Sequence, residues 1–409
     1  MKKAGIIFLV AMLLFTGTVL AGKITLWKYA SVVNDAILQG YVDQWNSENE
    51  NEIELVLIPF AQYTSTKLPA AFSSGMGPDM FWISPGDFLR YANAGIFAEF
   101  DNYISQEQID DMFDAAKEKV TAGGHIYGIP IGLEPLAIFY NKTLFNEYGL
   151  EAPKTWEEIF DAAEALKTGE RWGIILDPVP GSYQAFTFYP WLWAEDGKVI
   201  NDSWTESEIN SANSIEAIDF FNKAFNEYEV SPKTLPAVSS NIAMLADGFA
   251  AMQECGIWGV KVLQNSYPDF EFGIIPIPSK DGSKLMSVAG GWIQVVNDGS
   301  KYREEAINFT MWLFYETDFL KVTSVSAGVI PTLKSVLAEA TEILENPGLA
   351  KFAEIMEFAK PEPRFPPEIV KTLQDILQAV IFGGISPEEA ANNAAKEIDS
   401  FLSGYKGLH

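Results

Sequence analysis

Cysteine is almost missing from this chain. Cys255 is the only one in 409 residues, so no internal disulfide can form. It reads as a small buried residue rather than a reactive thiol. No cysteine lies near residue 22, which excludes a lipid anchor there. Histidine is almost as scarce. His125 and His409 alone cannot build a histidine-rich metal centre or a histidine-based nucleophile relay. Cations are few: 28 Lys and Arg face 55 Asp and Glu, for a formal charge of −27. So acidic a surface repels phosphate backbones and excludes nucleic acid as a partner. No glycine-rich phosphate loop, internal repeat or low-complexity tract occurs. After residue 22 no apolar run is long enough to span a bilayer.

What is present begins with an export signal. Lys2 and Lys3 precede an apolar stretch over 6–15, and Val19-Leu20-Ala21 is a small-residue cleavage site. Cleavage after Ala21 is favoured over a retained anchor, because Thr16, Gly17 and Thr18 interrupt the run and the Val-x-Ala site follows. With no anchor cysteine, the expected destination is a periplasm. Removal of Lys2 and Lys3 makes the mature chain more acidic by two charges. At this length two domains are the default.

The mature chain opens β-α-β-α-β. Strands are expected over 23–27, 53–58 and 79–83, and helices over 34–46 and 67–74. Val33, Ile37, Tyr41 and Trp45 line one face of the first helix at four-residue spacing. Strands separated by helices make a doubly wound α/β sheet. A second unit starts near Leu136. It holds a strand to Tyr140, a helix entered through the capping box Thr155/Glu158, a strand over 172–176 and helices over 213–228. The runs FGIIPIP (272–278) and AGVIP (327–331) read as crossings between units, and GGWIQVV (290–296) as a strand. Val370, Leu373, Leu377 and Val380 form an apolar stripe near the end, and Ser386-Pro387 opens the last helix.

Ligands of open α/β sheets bind beyond the carboxyl ends of the strands. That rule selects Trp27, Gln62, Tyr63, Trp82, Ser84 and Asp87 on the three loops of the first unit. Each of Trp27 and Trp82 is either a core ring or a stacking platform. Trp292 follows Gly290-Gly291, where small side chains at Gly291 let a ligand approach the backbone. Glu134 is a lone carboxylate in an apolar segment and needs a partner, either a basic residue or a ligand. Arg364 sits in the rigid Pro363-Arg364-Phe365-Pro366-Pro367 loop, facing either solvent or the cleft. Trp156, Trp191 and Trp193 read as packing residues.

Residues 124–159, GHIYGIPIGLEPLAIFYNKTLFNEYGLEAPKTWEEI, resemble the domain-crossing segment of extracellular solute-binding proteins of sugar ABC transporters, the maltose-binding protein type. The runs Gly77-Pro78-Asp79-Met80-Phe81-Trp82, Tyr91 to Glu99, Asp247 to Met252 with Gly256 and Trp258, and Gly384 to Ala391 are similar to the same family in order and spacing. The resemblance implies two doubly wound α/β domains joined by a three-segment hinge, a periplasmic binding protein type II-like fold. It places the first domain at 22–132 plus 279–326 and the second at 137–273 plus 331–409. Crossings fall near 133–136, 274–278 and 327–330, with the ligand in the cleft between. It also implies stacking by Trp258, an aromatic contact from Tyr183, and hydrogen bonds from Glu134 to sugar hydroxyls. The implied partners are a small-molecule carbohydrate and the membrane permease of an ABC importer, with the chain a monomer and no cofactor or metal. Between Trp82 and Tyr91 the chain carries an extra residue relative to the family pattern, and its C-terminal helix lacks an aromatic platform. Maltodextrin specificity is therefore not implied.

Three function classes remain. A sugar receptor binds reversibly through aromatic faces and carboxylates. A glycosidase needs two carboxylates about 5 to 9.5 Å apart, a role into which Asp87 and Glu134 can be forced but which no local motif supports. The same fold also serves non-sugar solutes. Amino acids and phosphate call for an Arg or a helix N-terminus, whereas these loops are aromatic and acidic. That favours a neutral polyhydroxylated ligand over a polyamine or an amino acid.

Overall fold

A computed structural model describes residues 22–409 apart from Val32 and Ser239. The export signal at 1–21 lies outside the described residues. The strands run in chain order as β1 Lys23–Tyr29, β2 Glu52–Ile58, β3 Met80–Ile83, β4 Thr121–Ala122, β5 His125–Ile126, β6 Ile129–Pro130 and β7 Glu134–Asn141. They continue as β8 Trp172–Ile175, β9 Ala250–Gly256, β10 Phe272–Ile275, β11 Ile277–Pro278, β12 Leu285–Gly290, β13 Ile293–Val296 and β14 Ala359–Pro361.

The first sheet has the order β2-β1-β3-β13-β6. β1 pairs in parallel with β2 and β3, as β-α-β connections require. Its pleat sends Ile24, Leu26 and Lys28 into the core and turns Trp27 and Tyr29 to the other face. Lys28 is buried there against Asp35 and the Tyr29 carbonyl. β13 runs antiparallel to β3, so the sheet is mixed. The reason is its entry: β13 arrives from the other unit and is not fed by a crossover helix of its own sheet.

The second sheet has the order β11-β12-β7-β9-β8, with β10 also on β7 and β14 on β12. Here the structure corrects two expectations. Residues 272–278 do not cross between sheets. β10 pairs antiparallel with β7, matching Ile274 to Phe139, and β11 pairs with β12. Residues 285–290, expected in the first domain, belong to the second sheet, where Gly290 pairs with Glu134. A hairpin causes both. Ser279 N–H donates to the Lys284 carbonyl, Asp281 Oδ1 accepts from Ser283, and Gly282 takes φ +73°. The Asp281-Gly282 pair is a hairpin turn in the sequence. The chain leaves the second sheet only at Gly290 and enters the first at Ile293.

Two other connections lie beside this one. β6 ends in the first sheet at Pro130 and β7 begins in the second at Glu134. Leu133 exchanges backbone hydrogen bonds with Ile330, at 2.8 and 3.1 Å. The helix Pro347–Ile355, expected wholly in the second domain, shares a buried cluster with the first sheet and also packs Phe352 on Phe139. The capping signals act as read: Thr155 Oγ1 accepts from Glu158 N at 3.2 Å, and Ser386 Oγ from Glu389 N at 3.2 Å. The apolar stripe of the helix Pro367–Ile381 is buried.

Candidate functional site

The chain passes between the two sheets at 131–133 and 291–292, and the candidate residues lie on the elements around these connections. On the first face, Tyr29 ends β1 and packs on Trp292 with ring centroids 4.3 Å apart. Phe60 approaches both rings edge-on, at 5.6 and 6.2 Å. Tyr29 and Trp292 are half-buried and Phe60 is exposed. Offset aromatic clusters of this kind offer the apolar faces on which a pyranose stacks.

Trp82 and Tyr63 behave differently. Trp82 is 1% exposed, and its indole N–H donates to Gln294 Oε1 at 3.0 Å. The Tyr63 hydroxyl is buried. It lies 2.6 Å from the Trp82 carbonyl and 3.0 Å from the Trp27 carbonyl, and accepts from Trp82 N–H at 3.1 Å. These groups tie the ends of β1 and β3 together, and their polar atoms are already used inside the protein. Trp27 is half-buried against the core and lends that carbonyl. Gln62 is exposed.

Ser84 and Asp87 follow β3 in a short turn, with Ser84 Oγ donating to Asp87 Oδ2 at 3.3 Å and Arg90 3.6 Å from Asp87. Burial pushes the Asp87 carboxyl above its ordinary value, and Arg90 and Ser84 oppose the shift. Glu134 is the first residue of β7. Among the described residues, no hydrogen bond and no ion pair holds its carboxylate. Burial drives its pKa well up, and the charge on Lys119 draws it part of the way back.

On the second face, Asn241 brings two candidates together. Its amide donates to the Tyr183 hydroxyl at 2.9 Å, and its carbonyl oxygen accepts from Trp258 Nε1 at 3.3 Å. Tyr183 also stacks on Phe186, with centroids 6.0 Å apart. The Trp258 ring lies over Gly256, where any Cβ would meet it at 1.9 Å. Asp177 is a carboxyl near Tyr183, pushed up to about 6 by burial. Trp156 and Trp191 are core rings, with indole N–H groups on the Pro278 carbonyl and Glu254.

Glu362 joins the two faces. It follows β14 of the second sheet and is 7% exposed. A Cβ on Gly86 would lie 2.8 Å from its Oε1, and one on Gly290 3.5 Å from its Oε2 and 2.5 Å from Phe186. Burial raises its carboxyl to about 8, against the pull of Lys119. Arg364, two residues on, points away to the Thr121 carbonyl and lies over the Phe88 ring at 5.1 Å. It lines a cavity of about 230 Å³ with Glu118, Trp204 and His409. Gly291 takes φ +114°, and a Cβ there would sit 2.0 Å from the Gly132 carbonyl oxygen. Glycine is therefore required by the packing of one crossing strand on another, beyond any approach of ligand.

The structure adds Tyr29, Phe60, Asp177, Phe186, Asn241, Glu362 and Lys119 to the candidates read from sequence. Tyr29 was within reach, since it lies two residues past Trp27 on the same pleat face. Glu362 and Lys119 carry no local signal. Among the described residues the one grouping of metal-type donors is Glu99, Asp101 and His125, an exposed set in which His125 Nδ1 lies 3.3 Å from Asp101 and 3.7 Å from Glu99. No described helix is long and apolar enough to cross a membrane.

Comparison with known proteins agrees with this architecture. The chain is 23% identical over 360 residues to the maltotriose-binding protein of Pyrococcus abyssi, covering 85% of this chain and 74% of that one. It is 24% identical over 371 residues to the galactooligosaccharide-binding protein of Bacillus subtilis, covering 87% and 84%. Among solved structures, an ABC transporter solute-binding protein of Thermotoga lettingae bound with α-D-tagatose superposes with a TM-score of 0.83 at 24% identity, over 93% of this chain and 100% of that one. The maltotriose-bound maltotriose-binding protein of Thermus thermophilus gives 0.77 at 23%, over 93% and 100%. The profile described as bacterial extracellular solute-binding protein matches residues 40–351, most of the chain, and the protein belongs to that family.

Proposed function

We propose that this protein captures a sugar or oligosaccharide between its two sheets and delivers it unchanged to the permease of an ABC importer. Tyr29 and Trp292 stack on one side of the ligand, and Tyr183, Phe186 and Trp258 on the other. Glu134 and Asp87 accept hydrogen bonds from ring hydroxyls. The observation that carries the reading is the Glu134 carboxylate, half-buried beside the crossing strands and, among the described residues, held by no hydrogen bond or ion pair. Such a group keeps its full acceptor capacity for a ligand. Oligosaccharide-binding relatives support a sugar as that ligand.

The reading includes export by cleavage after Ala21, a periplasmic location without a lipid anchor, a monomeric state, and no catalysis, cofactor, metal or nucleic acid. The excess of carboxylates over free cations at the cleft keeps a polyamine as the second reading. Intrinsic tryptophan fluorescence of the mature chain, titrated with maltotriose, galactooligosaccharides, tagatose and spermidine, separates the two. A saturable change with a rise in melting temperature for a sugar supports the first. A response to spermidine alone replaces it with the second.

A further inference from the structure

Lys119 ends the helix Asp114–Val120 of the first unit and is 1% exposed. Its ammonium donates to the Gly132 carbonyl at 2.8 Å and to the Gly290 carbonyl. Gly132 lies on the first connection between the sheets and Gly290 at the start of the second. The strands are pressed together around it: a Cβ on Gly291 would lie 2.0 Å from the Gly132 oxygen and 2.8 Å from Lys119 Nζ. Two carboxylates, Glu134 on β7 and Glu362 after β14, act on the ammonium through the low-dielectric interior, though neither forms an ion pair with it. Behind them, Tyr29 faces Glu134, and Asp87 and Tyr189 face Glu362. A buried ammonium costs several kcal/mol unless its surroundings repay it. Here the surroundings are both crossing strands and both carboxylates at the mouth of the cleft.

We propose that Lys119 is a positioning residue for ligand capture, pinning the two crossing strands at the pivot of the domains and supplying the countercharge for Glu134 and Glu362. This rests on the solute-binding reading above. Without the ammonium nothing offsets the burial of either carboxyl, and Glu134 takes up a proton more readily. An ionised carboxylate only accepts and makes the stronger, charge-assisted bonds to hydroxyls, whereas a protonated one has lost part of that capacity.

Two measurements test this. Trace acetylation of the folded mature protein with acetic anhydride, read by peptide mass spectrometry, should modify Lys119 at least about tenfold more slowly than exposed Lys23, as its burial and bonding demand. Equal rates overturn the pin. Lys119→Met is then titrated with the sugar panel above across pH 5 to 9. Affinity should fall by about 5- to 150-fold, the range of a coupling between sites. The pH profile of affinity should move to higher pH, because Glu134 then ionises less readily. A lower melting temperature with unchanged affinity and profile means a merely structural lysine and overturns the proposal. Should Lys119→Met fail to fold, Lys119→Gln takes its place with the same two readouts, and unchanged affinity with an unmoved profile overturns the proposal. If the wild type binds no sugar of the panel, the solute reading fails, and the acetylation rate alone decides the pin.

Discussion

Replacing Glu134 with glutamine should move affinity and stability in opposite directions. In the free protein this carboxylate is half-buried beside a strand crossing, its pKa is raised by burial and, among the described residues, no hydrogen bond or ion pair holds it. Its ionised form therefore costs the fold free energy, and the amide removes a charge without removing volume. The free variant should be as stable as the wild type or more so. With a sugar bound, the carboxylate accepts hydroxyl hydrogen bonds that the amide matches poorly. Hydrogen bonds to charged groups contribute about 1.5–3 kcal/mol net, which is roughly a 12- to 160-fold loss of affinity. Fluorescence or calorimetric titration reads the affinity, and denaturation of the free protein reads the stability. Stability traded for function in this way marks a binding group. Unchanged affinity, or a clear loss of stability in the free variant, would refute the reasoning, because either outcome makes Glu134 a structural residue.

The carboxyl of Glu362 is raised by burial from 4.5 to about 8. A group whose folded pKa lies above its unfolded one stabilises fully below the unfolded value, and that contribution is lost as pH rises through the folded one. The free protein should therefore lose stability between about pH 4.5 and 8, and Glu362→Gln should flatten that slope in melting curves. Gly291→Ala should destabilise by more than about 2 kcal/mol in urea titration, since it combines a positive φ with a clash on the Gly132 carbonyl. The tryptophans should divide by role. Trp292→Ala should weaken sugar binding about two- to tenfold, the worth of one aromatic stacking contact, with a small change in melting temperature. Trp82→Phe strands Gln294 in the core and should lower stability while leaving affinity near that of the wild type.

Much of this arrangement was legible because it depends on local rules. The opening strands and helices, the caps at Thr155 and Ser386, and the strand-end position of the candidate loops follow from periodicity, capping chemistry and sheet topology. Glu134 stood out because a carboxylate in an apolar run demands a partner. The strand-end rule could not tell whether Trp82 is core or platform, and only its contacts to Gln294 and Tyr63 make it core. It also favoured Trp27 over Tyr29, although the pleat puts both on one face and places Tyr29 nearer the end. The second crossing was misplaced because FGIIPIP is as apolar as a buried crossing strand, while the Asp281-Gly282 turn that sends the chain back was passed over. Lys119 and Glu362 were out of reach. Each matters through atoms more than 150 residues away in sequence, as the contact from Lys119 to Gly290 illustrates, and an acidic chain offers many carboxylates with nothing local to single one out.

Capture of an intact sugar by a single chain can be read by native mass spectrometry of the mature protein with the sugar panel. A monomer carrying one sugar of unaltered mass, recovered unchanged after release, is expected. An empty chain across every sugar, or the appearance of cleaved or transferred products, would contradict it.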